Sequence, residues 1–158
     1  MAQTSPVTEG FVATCEIKID ASPETVFEYF VDPDKLTLWQ GVAAELDPRP
    51  GGIYKVDLLP GRAVARGEYV RIERPHHVTF TFGWEGDDQI VQPGSSTVEV
   101  TLVADGEGTL VQLRHSGLPT EQTTLDHTGG WTHYLSRLQV AATGGDPGRD
   151  PNLDRTSR

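Results

Sequence analysis

The segment FVATCEIKIDASPETVFEYFVDPDKLTLW, residues 11–39, predicts one strand followed by two short helices. Apolar and polar side chains alternate over residues 11–19, which is typical of a strand with one buried face. The Ser-Pro pair at 22–23 is a helix-start signal, and we expect that helix to run to about Val31. The Asp-Pro pair at 32–33 repeats the signal and predicts a second short helix.

From Ala44 to His115 the sequence predicts a meander of antiparallel strands, separated by the turn-forming segments DPRPGG, LPGR, ERPHH, EGDDQIVQPGSS and DGEG. The strand at residues 63–72 has apolar side chains on both faces, so its inward face stays open. Alternation gives the last three strands one apolar face each: Val78, Phe80, Phe82 and Trp84; Val98, Val100 and Leu102; Val111, Leu113 and His115.

A long helix is predicted from Thr120 to Ala142, with one apolar stripe formed by Leu125, Thr128, Trp131, Leu135, Leu138 and Ala142. Gly129 and Gly130 lie in this helix, where each glycine costs about 1 kcal/mol relative to alanine. Either they mark a weak helix start, or they allow neighbouring backbone to approach closely while Trp131 fills the groove beneath.

Composition is that of one globular domain with short tails. We expect the domain to span residues 11–142, with a flexible N-terminus at 1–10 and a disordered tail at 143–158. The net charge of -10 argues against nucleic-acid binding, since phosphate contacts require clustered Lys and Arg. The residues provide no apolar run for membrane insertion, no signal peptide and no motif for a metal or cofactor, so a cytoplasmic protein without cofactors is expected.

The order of these elements predicts an α+β fold. A curved antiparallel sheet of six to seven strands would wrap around the long C-terminal helix, with two short helices after the first strand. Large aromatic side chains alternate with small residues on the inward face, which favours a pocket between the sheet and the helix. The loop EGDDQIVQPGSS at residues 85–96 either covers one opening of that pocket or lies free on the surface.

Four segments, IDASPETVFEYFVDPDKLTLWQ, PGGIYKV, GEYVRIERPHHVTFTFGW and HTGGWTHYLSRL, together resemble the family named for the activator of the Hsp90 chaperone ATPase. This family belongs to the START-like, or SRPBCC, superfamily. The resemblance covers about residues 14–142 and implies the helix-grip fold of the birch-pollen allergen, in which a curved sheet and a C-terminal helix often enclose an apolar cavity. His127, Gly130 and Trp131 match the His, Gly and Trp found at this helix in similar proteins.

We therefore expect a binding protein for a small hydrophobic molecule, either a lipid, a steroid or a polyketide-like compound. The expected lining residues combine strand parity with the resemblance: Phe80, Phe82, Trp84, His115, His127, Trp131 and Leu135.

Two alternatives stay open. The protein could be a cyclase or hydrolase that uses a cavity histidine, His115, or a carboxylate as general base. It could also be a protein-interaction module of the chaperone-activator kind, or form a homodimer. The chaperone activator itself has a further N-terminal domain, whereas this sequence has about ten residues before its first strand, so we favour small-molecule binding.

Overall fold

The computed structural model describes residues 11–154, which form a seven-stranded sheet, three α-helices and a terminal 3₁₀ turn. The strands are β1 (Phe11–Ile19), β2 (Ala43–Leu46), β3 (Ile53–Leu59), β4 (Ala63–Glu73), β5 (His77–Phe82), β6 (Ser96–Asp105) and β7 (Gly108–Leu118). The helices are α1 (Pro23–Val31), α2 (Pro33–Leu36) and α3 (Glu121–Ala142), and the 3₁₀ turn is Pro151–Asp154.

The sheet has the strand order β1-β7-β6-β5-β4-β3-β2, and every neighbouring pair is antiparallel. The helices α1 and α2 connect the edge strand β1 to the opposite edge strand β2. The long helix α3 packs mainly against β1, with further contacts to β7 and α1. This arrangement is the predicted α+β, helix-grip fold.

Helix starts lie where the sequence predicts them. The side chains of Ser22 and Asp32 each accept a hydrogen bond from an amide of the following turn, at 3.2 Å and 2.9 Å, and proline follows each cap. Thr120 caps α3 in a reciprocal pair with Thr123. These caps satisfy amides that would otherwise lack a partner at each helix start.

The predicted inward residues within β5, β6 and β7 are buried, whereas Trp84, which lies beyond the end of β5, is partly buried. Phe80 stacks on Tyr54 with ring centroids 4.0 Å apart. The buried hydroxyl of Tyr69 donates to the carbonyl of Phe30 at 3.0 Å, which fastens α1 to the sheet. The core therefore joins α1 to the middle of the sheet through aromatic side chains.

Strand β4 could not be assigned an inward face because it changes face along its length. Ala65 and Tyr69 are buried, and a register shift against β5 lies between Tyr69 and Arg71. After this bulge the partly buried residue is Ile72, which has the opposite parity. An extra residue in one strand reverses the alternation, and a fixed period of two cannot detect it.

Most of the apolar stripe predicted for α3 is confirmed, since Trp131, Leu135, Leu138 and Ala142 are buried. Leu125 is the exception: its side chain is 59% exposed, so its assignment to the stripe was wrong. The buried face of this first part of α3 begins at Thr123 instead, and a residue two positions further points to the opposite side of a helix.

Residues 144–154, for which the sequence predicts a tail, lie along α3 and make specific contacts. The buried carboxylate of Asp150 is 2.9 Å from Nε2 of His133. The guanidinium of Arg137 donates to the carbonyls of Pro147 and Gly148. The contacts join polar groups from distant positions, which hydrophobic patterning does not reveal. The predicted N-terminal tail at 1–10, and residues 155–158, lie outside the described residues.

Candidate functional site

A cavity of about 460 Å³ lies between α3, the β3–β4 hairpin and the loop after β5. Its volume falls within the range of roughly 300–1,000 Å³ that is usual for small-molecule sites. Its wall consists mainly of apolar and aromatic side chains. The lining residues are Leu58, Leu59, Ala63, Phe82, Trp84, Gln89, Ile90, Val91, Thr123, Asp126, His127, Gly130, Trp131 and Tyr134.

Four of the seven residues predicted for the site lie in this wall: Phe82, Trp84, His127 and Trp131. The other three, Phe80, His115 and Leu135, are buried in the core and do not line the cavity. His115 is nevertheless in ring contact with Phe82, at a centroid distance of 4.9 Å, and with His127, at 5.1 Å.

The side chains of Trp84 and His127 connect the end of β5 to α3. The indole N–H of Trp84 donates to Nε2 of His127 at 3.1 Å. The other imidazole nitrogen, Nδ1, is 2.7 Å from the carbonyl of Thr123 and must donate to it, because a carbonyl can only accept. These two bonds assign His127 as the neutral imidazole with its proton on Nδ1.

A second chain of hydrogen bonds lies beneath the cavity. The indole N–H of Trp131 donates to Nδ1 of His115 at 3.0 Å. Nε2 of His115 is 2.8 Å from the hydroxyl of Ser96, which donates in turn to the carbonyl of Phe82 at 2.8 Å. Because the serine proton is used, Nε2–H of His115 is the donor in the bond to Ser96.

His115 is therefore held as a buried neutral base with both nitrogens engaged. Burial, together with a smaller contribution from His127, lowers the pKa of His115 to about 3. Neither nitrogen is free to accept a proton from a molecule in the cavity. The role that the geometry supports for His115 is to hold Trp131 in place.

The loop after β5 contributes to the cavity wall through Gln89, Ile90 and Val91. The amide of Trp84 donates to the carbonyl of Val91 at 2.7 Å, and the buried side chain of Val91 packs against that indole. Gly83 makes this close return possible, because a Cβ there would lie 1.9 Å from the carbonyl oxygen of Gln92. Of the two interpretations of this loop, the structure supports the one in which it covers the cavity.

The close approach of neighbouring backbone, one of the two explanations for the glycines of α3, is wrong. A Cβ placed on Gly129 or on Gly130 would meet no atom within 4 Å, so no backbone approaches either residue. The two differ in surroundings: Gly129 is exposed, whereas Gly130 lines the cavity. The missing side chain of Gly130 therefore leaves space within the cavity.

The sequence did not indicate several lining residues, among them Leu58 and Leu59 at the end of β3 and Tyr134 and Asp126 on α3. The helical spacing of Asp126, Gly130 and Tyr134, at intervals of four, was a usable signal, because it follows the helix face adjacent to Trp131. Leu58 and Leu59 offered none, since adjacent residues of a strand point to opposite faces.

Within residues 11–154, no three His, Cys, Asp or Glu side chains are grouped as metal ligands usually are. No helix in the same part of the chain has the length and apolar composition needed to span a membrane.

Comparison with known proteins assigns the family. Residues 20–143 match the family model described as activator of Hsp90 ATPase homolog 1-like protein. The chain belongs to this family. No curated protein matches the sequence.

Solved structures of other proteins share the fold. An AHSA1-like protein from Rhizobium etli is 42% identical, with 94% of this chain and 91% of that chain covered and a TM-score of 0.71. CalU16 from Micromonospora echinospora is 26% identical, with 84% and 76% covered and a TM-score of 0.67. The Aha1 dimer from Colwellia psychrerythraea is 18% identical, with 85% and 98% covered and a TM-score of 0.73, a likeness of fold alone.

Proposed function

We propose that this member of the family binds a small apolar molecule, such as a lipid, a steroid or a polyketide-like compound, in the cavity beside α3. The observation that carries the proposal is the composition of the wall, in which Phe82, Trp84 and Trp131 meet aliphatic side chains around 460 Å³ of space. Burying apolar ligand surface there would release water from both partners and favour binding by about 25 cal/mol per Å².

The hydrogen bonding of the wall supports the same proposal. The indole N–H groups of Trp84 and Trp131 and both nitrogens of His127 are engaged within the protein. These rings consequently offer carbon surface to a ligand and lose no hydrogen bond when water leaves. A wall of this kind favours apolar molecules over strongly hydrated ones.

The experiment is native mass spectrometry of freshly purified protein, followed by thermal-shift measurements with sterols, fatty-acid esters and aromatic polyketides. Gly130→Leu is the test variant, because Gly130 lines the cavity and a Cβ added there would meet nothing within 4 Å outside its own part of the helix. Gly129→Leu is its matched control, since it makes the same change on the exposed side of the same helix.

A ligand that raises the melting temperature of the wild type and of Gly129→Leu, but not of Gly130→Leu, supports the proposal. Binding at 100-fold over Kd would stabilise the protein by about 2.7 kcal/mol. The proposal is contradicted if no compound raises the melting temperature of any of the three proteins and the freshly purified protein carries no bound molecule.

A homodimer also stays a prediction for this chain. The Aha1 protein from Colwellia psychrerythraea, which shares the fold, is a dimer in its solution structure. Light scattering after size-exclusion chromatography would distinguish a monomer of 17.2 kDa from a dimer.

A further inference from the structure

Among the described residues that line the cavity, Asp126 is the one with an acidic side chain. This residue lines the cavity and is exposed, so its carboxylate lies where the cavity meets solvent. Its Oδ1 accepts a hydrogen bond from the side-chain amide of Gln122 at 2.9 Å, one turn earlier on α3. Among the described residues, no donor contacts the other oxygen, Oδ2.

No cation balances this carboxylate within the described part of the wall, where neither Lys nor Arg is a lining residue. The other ionisable groups of the wall are uncharged. His127 is the neutral tautomer assigned by its two hydrogen bonds. Burial, together with the nearby charge of Asp150, raises the pKa of Tyr134 to about 12, so its hydroxyl stays protonated at neutral pH.

Most other polar groups of the wall have partners already. The hydroxyl of Thr123 is engaged in the cap of α3, and that of Tyr134 is hydrogen-bonded to the side chains of Asp150 and Asn152. Of the described lining residues, Asp126 with its carboxylate and Gln89 with its side-chain amide are left to bind a polar group of a ligand.

We propose that the cavity selects, among apolar molecules, those that carry a protonated amine or other cationic group beside the apolar body, and that Asp126 is the residue that selects them. This inference rests on the proposed function. It narrows the ligand class from apolar molecules in general to cationic amphiphiles, and it disfavours carboxylic acids such as free fatty acids.

The arrangement explains how both parts of such a ligand would be held. The ring or chain would lie against Trp84, Trp131 and Phe82, and the cation would lie at the mouth, close to the carboxylate and still in contact with water. A cation at the mouth keeps most of its hydration, so its attraction to Asp126 is not cancelled by a large desolvation cost.

The test uses three compounds with the same ring system: naphthylmethylamine, naphthylmethanol and naphthoate. Their dissociation constants are measured by calorimetry at pH 7.5 and low salt, for the wild type and for Asp126→Asn. Glu107→Gln is the matched control, because it removes one exposed carboxylate on the β6–β7 turn, away from the cavity wall. It reports any general attraction of amines to a protein with net charge -10.

The wild type and Glu107→Gln are expected to bind the amine roughly two- to fivefold more tightly than the alcohol, and the carboxylate least tightly, as for an ion pair open to water. Asp126→Asn should bind amine and alcohol equally, and added salt should reduce the preference of the wild type. Binding of all three compounds with equal affinity, or a preference for naphthoate, overturns the selectivity while leaving the cavity proposal intact. Absence of binding by all three, including the neutral alcohol, overturns the proposed function and this inference with it.

Discussion

The indole of Trp84 and the imidazole of His127 lie 43 residues apart in sequence and are joined by a hydrogen bond of 3.1 Å across the cavity wall. The bond links the end of β5, where the covering loop begins, to the first half of α3. Because His127 also donates to the carbonyl of Thr123, the ring cannot turn away to find another donor.

Trp84→Phe is expected to lower the free energy of unfolding by about 1–3 kcal/mol, because it leaves Nε2 of His127 without a partner. Urea denaturation measures the change. In a double-mutant cycle with His127→Phe, the second substitution should cost less in the Trp84→Phe background than alone, with a coupling of about 1 kcal/mol. Strictly additive costs would show that the bond adds nothing to stability.

The buried state of His115 predicts a pH dependence of stability. The pKa of this residue is about 3 in the folded protein, whereas an unfolded histidine has a pKa of about 6.5. As the pH falls below 6.5, His115 becomes protonated in the unfolded state, whereas in the folded state it stays neutral until about pH 3. The free energy of unfolding therefore decreases throughout that interval. Lowering the pH from 7.5 to 5.5 should therefore reduce the free energy of unfolding by about 1.4 kcal/mol through His115.

Urea unfolding of the wild type and of His115→Gln over pH 7.5–5.5 measures this contribution. The variant should be less stable at pH 7.5, but its stability should fall less steeply with decreasing pH. Parallel curves for the two proteins would contradict the account of His115 as a buried neutral base.

Gly129→Ala should stabilise the protein. Nothing within 4 Å would meet the added methyl group, and alanine is favoured over glycine in a helix by about 1 kcal/mol. For a domain of this size the melting temperature should rise by about 2–4 °C. A lower melting temperature, measured by circular dichroism, would indicate a contact at Gly129 that the structure does not contain.

The terminal segment provides a fourth prediction. Burial opposes ionisation of Asp150, but hydrogen bonds from the amide of Asn152 and from His133 outweigh it and lower the pKa of the carboxyl. Asp150→Ala should release residues 144–153 from α3 and increase their amide hydrogen exchange. Asp146→Ala is the control, since that exposed carboxylate bonds only to the amide of Gly148 among the described residues. Equal exchange in both variants would show that Asp150 does not hold the segment.

Local chemistry made much of the fold predictable. The caps at Ser22 and Asp32 are interactions within one turn, and the alternation in β5, β6 and β7 reflects one buried face. The bulge after Tyr69 was beyond prediction because a single extra residue reverses the pattern without leaving a sequence signal.

The site was predictable only in part. Strand parity found Phe82 and Trp84, and the family resemblance found His127 and Trp131; all four line the cavity. Neither could show that His115 lies one layer deeper than the cavity, with both nitrogens bonded. The loop's part in the cavity wall, and the space left by the missing side chain of Gly130, depend on how separate parts of the chain pack together. The sequence pattern of one element does not show this.

The most direct test of the cavity as a binding site is a fluorescence titration with Nile red, a neutral apolar dye, on the wild type, Gly129→Leu and Gly130→Leu. Circular dichroism melting would first establish that all three are folded. The account predicts saturable binding with blue-shifted dye emission for the wild type and Gly129→Leu, and at least a tenfold weaker affinity for Gly130→Leu. Equal binding by all three variants, or no saturable binding by the wild type, would contradict it.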